Sequence, residues 1–163
     1  MDFFSHLAWA YLLLFHGRPD LLAGLFFGVF PDLIFVGAAL LMSINMFARS
    51  REISRQRLFP VVRRVYAVSH SLITVAVFGI ITAIVTGGFY FPILGWLLHI
   101  LLDIYTHKGS PVEPQFPLYP LTYPAIKGYI WWRNPYFLVV NWAAIIALYL
   151  LMNGPKLPII SWG

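Results

Sequence analysis

From Leu21 to Ala48 the chain offers one ionisable side chain, Asp32, and beside it one proline, Pro31; apart from Ser43 and Asn45 the rest is apolar. A membrane crossing takes ~20 apolar residues, and a helix closes its own backbone hydrogen bonds without water. Further apolar stretches follow the same rule: Phe3 to Phe15, Val65 to Thr86, Phe89 to Tyr105 and Tyr136 to Met152. Only 10% of the residues are charged and 60% are hydrophobic, against about 25% charged in a soluble domain. The expected fold is an all-α, polytopic membrane helical bundle with four to six hydrophobic segments. Neither a linker nor a repeat divides residues 1–163, so a single integral membrane domain is expected.

Proline removes a backbone donor and disfavours helix in the residue before it. A break at Pro31 is therefore expected, which would expose Asp32 to a protein-lined cavity and bring it toward the helix ends. Arg49 to Arg64 reads as a polar loop, with Arg49, Arg51, Arg55, Arg57, Arg63 and Arg64 against Glu52. Val65 to Thr86 reads as the cleanest spanning helix, closed by a Gly87-Gly88 turn. Between Ser110 and Pro135, the prolines 111, 114, 117, 120 and 124 preclude a continuous helix. Tyr119, Tyr123, Tyr129, Trp131 and Trp132 suit the headgroup level, so this stretch is expected to lie along the interface. The tail 155–163 is expected to be interfacial too.

Without cysteine, disulfides and thiolate metal ligands are excluded. The amino-terminal MDFFSHLAWAYLLLF lacks the basic region and small-residue cleavage site of a signal peptide, so it is expected to stay as the first helix. The formal net charge is +5. Its concentration in one segment suits anionic lipid headgroups and topology better than nucleic acid. The positive-inside rule places 49–64 in the cytoplasm, and 106–135, with Lys108, Lys127 and Arg133, there as well.

Ionisable side chains inside membrane segments are costly, and by default they suggest function. Here they are His6, Asp32, His70, His99 and Asp103, with His107 just beyond the fourth apolar helix. His99 and Asp103 are four residues apart and share a helix face; an imidazole and a carboxylate so placed can bind one ion. On the topology above, His6, His70, His99 and Asp103 lie within about two turns of the cytoplasmic helix ends. A lone membrane histidine often only bonds a neighbouring helix. Several at one depth predict a metal centre, with His6, Asp32, His70, His99 and Asp103 as its residues. Imidazole with carboxylate suits zinc, and two carboxylates leave manganese open. Asp32 or Asp103, where not a direct ligand, would be the catalytic general base or would orient a ligand histidine. Ser71 could supply a supporting hydrogen bond. His16 reads as an interfacial turn residue.

Ser5-His6, Pro31-Asp32, Ser69-His70-Ser71, and Gly95-Trp96-Leu97 running through His99 and Asp103 to Thr106 and Gly109 together carry a resemblance. In that order they resemble the membrane-bound metal-dependent hydrolase family, that of the LexA-binding inner-membrane hydrolase-like proteins, over most of residues 1–125. That family is in turn distantly similar in ligand pattern to zinc-dependent phospholipase C. The resemblance implies an inner-membrane location and a metal held by His6, Asp32, His70, His99 and Asp103. The chain departs from the family pattern at Ile34, where a second acid is usual, and at Val65 and Tyr66, where a histidine and an arginine are usual. These departures leave the number of metals open. They also remove one phosphate clamp, a role for which Arg63, Arg64 and Lys108 are the alternatives.

The expected function is metal-dependent hydrolysis, at the cytoplasmic membrane face, of a lipid or lipid-linked ester or phosphoester. The alternative is a non-catalytic membrane protein, a metal or proton carrier or an assembly factor, in which the same side chains relay ions. An intramembrane amidase or ceramidase-like hydrolase is a further alternative, although the sequence has no H-x-x-x-H.

Overall fold

The computed structural model describes residues 1–48, 51–108, 115–121 and 126–154, the side chains of 45–48 and 51–59 excepted. Arg49, Gly109, Ser110, Pro111, Pro114, Tyr123, Pro124 and the tail 155–163 lie outside the described residues. Among the described residues the fold is helical, with two isolated β-bridges and no strand: α1 (Phe3–Ala10), α2 (Leu21–Ala48), α3 (Arg51–Ser69), α4 (Leu72–Thr86), α5 (Leu94–Thr106) and α6 (Pro135–Asn153). A π-helical turn, Tyr11–Phe15, extends α1, and a 3-10 turn, Phe91–Ile93, leads into α5. α2 over Leu21–Ile44 and α6 over Pro135–Asn153 are each long and apolar enough to cross a membrane. The bent pair Pro60–Ser69 and Leu72–Thr86 passes the same test if taken as one span.

Two expectations are corrected. α2 runs through Pro31 as one helix. Proline removes one donor from the ladder, and within a packed membrane helix this is tolerated where neighbours satisfy the freed groups. The break lies instead in the expected helix 65–86, at His70–Ser71, where the axis bends by 56°. Ser71 has extended backbone angles, and its hydroxyl accepts the Ile73 N–H at 3.1 Å as the cap of α4. The Leu72 N–H, with no partner inside α4, donates to the Pro117 carbonyl at 2.9 Å. The Ser69 carbonyl at the end of α3 accepts the Trp96 indole N–H at 2.7 Å. Such groups must be satisfied internally where water is absent. The second correction concerns the arginine-rich segment, which from Arg51 onward is helix rather than loop; arginine, glutamine and leucine favour helix.

α2 is the central element, packed by α1, α3 and α5, while α6 packs against α1 and its π turn. An apolar cluster of Phe27, Val75, Ile93, Trp96 and Ile100 joins α2, α4 and α5. The α2–α5 crossing is close because it is made of glycine. A Cβ on Gly95 would lie 2.4 Å from the Gly24 carbonyl oxygen and 2.9 Å from the Gly28 nitrogen. Small residues that let backbones approach are a main source of helix association in membranes. The described parts of the proline-rich segment fold back on the helices. Trp132 N–H donates to the Thr106 carbonyl, and Ile126 N–H to that of Gln115, both at 2.9 Å.

Candidate metal centre

The close α2–α5 crossing decides where His99 points. One turn past Gly95, its Nδ1–H donates to the Gly28 carbonyl at 2.8 Å. A carbonyl only accepts, so this contact fixes the proton on Nδ1 and leaves Nε2 as a lone pair in the neutral ring. His70 lies in the break between α3 and α4. Its Nδ1 lies 3.1 Å from the Tyr66 carbonyl, and its ring stacks on Tyr66 at 3.9 Å between centroids. The two Nε2 atoms face each other at 3.3 Å.

Two carboxylates complete the group. Asp103 Oδ2 lies 3.4 Å from His99 Nε2 and 3.7 Å from His70 Nε2. Asp32 Oδ1 lies 3.7 Å and 4.0 Å from the same two atoms. Asp32, His70, His99 and Asp103 thus each offer one ligand atom, all within 4.8 Å of one another, and could hold a metal ion. A tetrahedron with bonds of about 2.0–2.1 Å has edges of ~3.3 Å, so the shortest separations already match and Asp32 is the looser member. A continuous α2 brings Asp32 here without the expected break.

His6 lies against this group and is not one of the four. Its Nε2 faces Asp103 Oδ1 at 3.0 Å, and its ring stacks on His99 at 3.7 Å. Its Nδ1 is buried with no hydrogen-bond partner among the described residues. The Met1 amino group also bonds Asp103 Oδ1. Asp103 is therefore divided: Oδ1 receives donors from the amino-terminal side, and Oδ2 faces the two histidines. Second partners of this kind orient a ligand and raise its basicity.

His107, to which the sequence reading gave no role, caps α5 with Nδ1 3.1 Å from the Asp103 carbonyl, and 3.4 Å from Oδ1. Its spacing of four from Asp103 was the available signal. Ser71 does not reach the group, because its hydroxyl caps α4 and donates to the Tyr119 carbonyl at 2.6 Å. Ser69 is the serine beside the centre, its Oγ 3.0 Å from His70 Nδ1. His16 lies in the turn after the π helix, 3.1 Å from Asn153 Oδ1.

A cavity of about 190 Å³ opens beside the group, with Asp32, Phe35, Val36, Tyr66, His107 and Trp132 in its walls. Asp32 keeps 22% of its side chain exposed, while the side chains of His70, His99 and Asp103 are almost wholly buried. Arg63, Arg64 and Lys108 are exposed and do not line this cavity; the Arg63 guanidinium lies over the Phe116 ring at 5.3 Å. No protein-family model, curated protein or solved structure matches the chain.

Proposed function

We propose that this chain is a membrane-embedded hydrolase that holds a divalent metal between Asp32, His70, His99 and Asp103, with zinc the first choice and manganese the second. Its substrate would be an ester, in the first instance a phosphate ester, of a membrane lipid or lipid-linked molecule. One observation carries the metal: the Nε2 atoms of two imidazoles and two carboxylate oxygens converge, with the His99 Nδ1 proton committed to the Gly28 carbonyl. That donor set suits a borderline cation. The adjoining cavity supports the substrate reading, since its walls are largely apolar and aromatic with two partly exposed carboxylates, Asp2 and Asp32. Its volume falls below the ~300 Å³ of a typical ligand pocket. A headgroup bond fits there, and the acyl portion would stay in the bilayer.

A divalent ion in such a centre supplies a water that ionises near pH ~7 and a Lewis acid for the scissile oxygen. The protein side of the chemistry falls to named atoms. His99 and Asp103, one turn apart on α5, hold one side of the centre, and the Gly28 carbonyl keeps the His99 ring in place. Stacking on Tyr66 keeps the His70 ring in place. Asp32 Oδ1 faces the histidines, which leaves Oδ2 to take the proton of the attacking water at the cavity side. Water oxygen bonds to phosphorus, or to the carbonyl carbon of an acyl ester. The bridging ester oxygen departs and takes the proton back as an alcohol. In this reading segments 49–64 and 106–135 face the cytoplasm across the inner membrane, lipid is the partner, and nucleic acid is not.

The test is incubation of purified protein with anionic phospholipids and polyprenyl phosphates, with and without zinc or manganese. Product release that is lost in both His99→Ala and Asp103→Ala is expected. Release surviving either substitution rules out this centre as its source. A folded, metal-loaded protein that releases nothing would favour the carrier or assembly-factor alternative.

A further inference from the structure

We propose that Asn141, in the last membrane helix, is a positioning residue that acts through Ser5 and His6 on the Asp103 carboxylate. The proposal rests on the centre holding a metal. Asn141 and Ile145 are the buried residues of α6, a helix otherwise turned outward along most of its length. Both ends of the amide are used. Its Oδ1 accepts the Trp9 indole N–H at 2.9 Å, and its Nδ2–H donates to Ser5 Oγ at 2.8 Å. Ser5 is fully buried and passes the contact on, its hydroxyl donating to Asp2 Oδ2 at 2.5 Å while its backbone N–H donates to Asp2 Oδ1 at 2.9 Å. This closes the amino-terminal cap of α1.

Ser5 and Trp9 are four residues apart, so one amide grips two successive turns on one face of α1. His6 follows Ser5 and projects about 100° further round the helix. With Ser5 held toward α6, His6 is held toward α5, where it meets Asp103 Oδ1 and stacks on His99. Apolar side chains against lipid set helix rotation weakly, and interhelical hydrogen bonds set it more firmly. Among the described side-chain hydrogen bonds of α6 to the rest of the chain, those of this amide reach a residue adjoining the centre, whereas that of Asn153 goes to His16. Losing it frees α1 to rotate, and Asp103 Oδ1 loses His6, one of the donors that keep Oδ2 aimed at the histidines.

Zinc affinity of the detergent-purified full chain, measured by competition with a chelating dye, tests this. Asn141→Leu and Ser5→Ala should each weaken zinc binding by about 10-fold, the lower end for a partner lying outside the ligands. Asn141→Gln, which keeps donor and acceptor, should recover most of the loss. In a His6→Ala background, Asn141→Leu should cost nothing more. If Asn141→Leu weakens binding equally with and without His6, the amide is packing glue and the proposal fails. It fails also if Asn141→Leu and Ser5→Ala both bind like wild type. A wild-type protein that binds no zinc overturns the centre itself, and this proposal with it.

Discussion

Gly95→Ala puts a methyl group into the tightest crossing of the fold. The new carbon would sit 2.4 Å from the Gly24 carbonyl oxygen and 3.3 Å from Gly28 Cα, all backbone that no rotamer change can move. Carbon–oxygen contacts settle at about 3.3–3.6 Å, so α5 must back away by roughly 1 Å. The His99–Gly28 hydrogen bond, 2.8 Å long, then stretches past bonding range. Overpacking costs about 1–3 kcal/mol, and a lost hydrogen bond adds ~1 kcal/mol. Unfolding by SDS in mixed micelles should register this sum of roughly 2–4 kcal/mol. Zinc affinity should fall about 10–100-fold, because His99 loses the partner that sets its tautomer. Gly37→Ala is the control, since a Cβ at Gly37 meets nothing within 4 Å. It should leave zinc binding unchanged and stability equal or up by about 0.5–1 kcal/mol. If Gly95→Ala matched Gly37→Ala in both stability and zinc binding, the close crossing would not be what positions His99.

His99→Ala should abolish zinc binding, whereas His6→Ala should weaken it by about 10–100-fold and leave a measurable site; chelator competition separates the two, and equal loss would make His6 a ligand. Ser71→Ala removes the cap of α4 and its bond to the Tyr119 carbonyl, and should cost about 1 kcal/mol in the same unfolding titration. Single cysteines at positions 56 and 108, in a protein without native cysteine, should resist impermeant maleimide in intact cells and react after lysis; labelling from outside would reverse the orientation.

Much of the helix plan was legible in the sequence. α2 has the expected bounds, and α6 exceeds the expected Tyr136 to Met152 by one residue at each end. Apolar run length fixes these, because a bilayer penalises any early exit from the helix. The placement of the break was not legible. Pro31 has a strong local preference, yet one missing donor is a small loss inside a packed helix. At Ser71 the break is stabilised by partners from distant chain, Pro117 and Tyr119, which no local pattern reveals. Within the centre, the spacing of His99 and Asp103 marked their shared face. That Asp32 joins them depends on Gly24, Gly28 and Gly95 allowing two backbones to touch, a tertiary fact. His6 was legible as a participant but not as a partner of Asp103. Asn141 carries no periodic signal, being one uncharged amide among apolar residues.

Elemental analysis of the purified protein, loaded with zinc and dialysed, with wild type beside His99→Ala, tests the centre most directly. Zinc retained in stoichiometric amount by wild type and lost by His99→Ala is the predicted result. A folded wild-type protein that retains no zinc and no manganese, or a His99→Ala protein that retains as much as wild type, would contradict it.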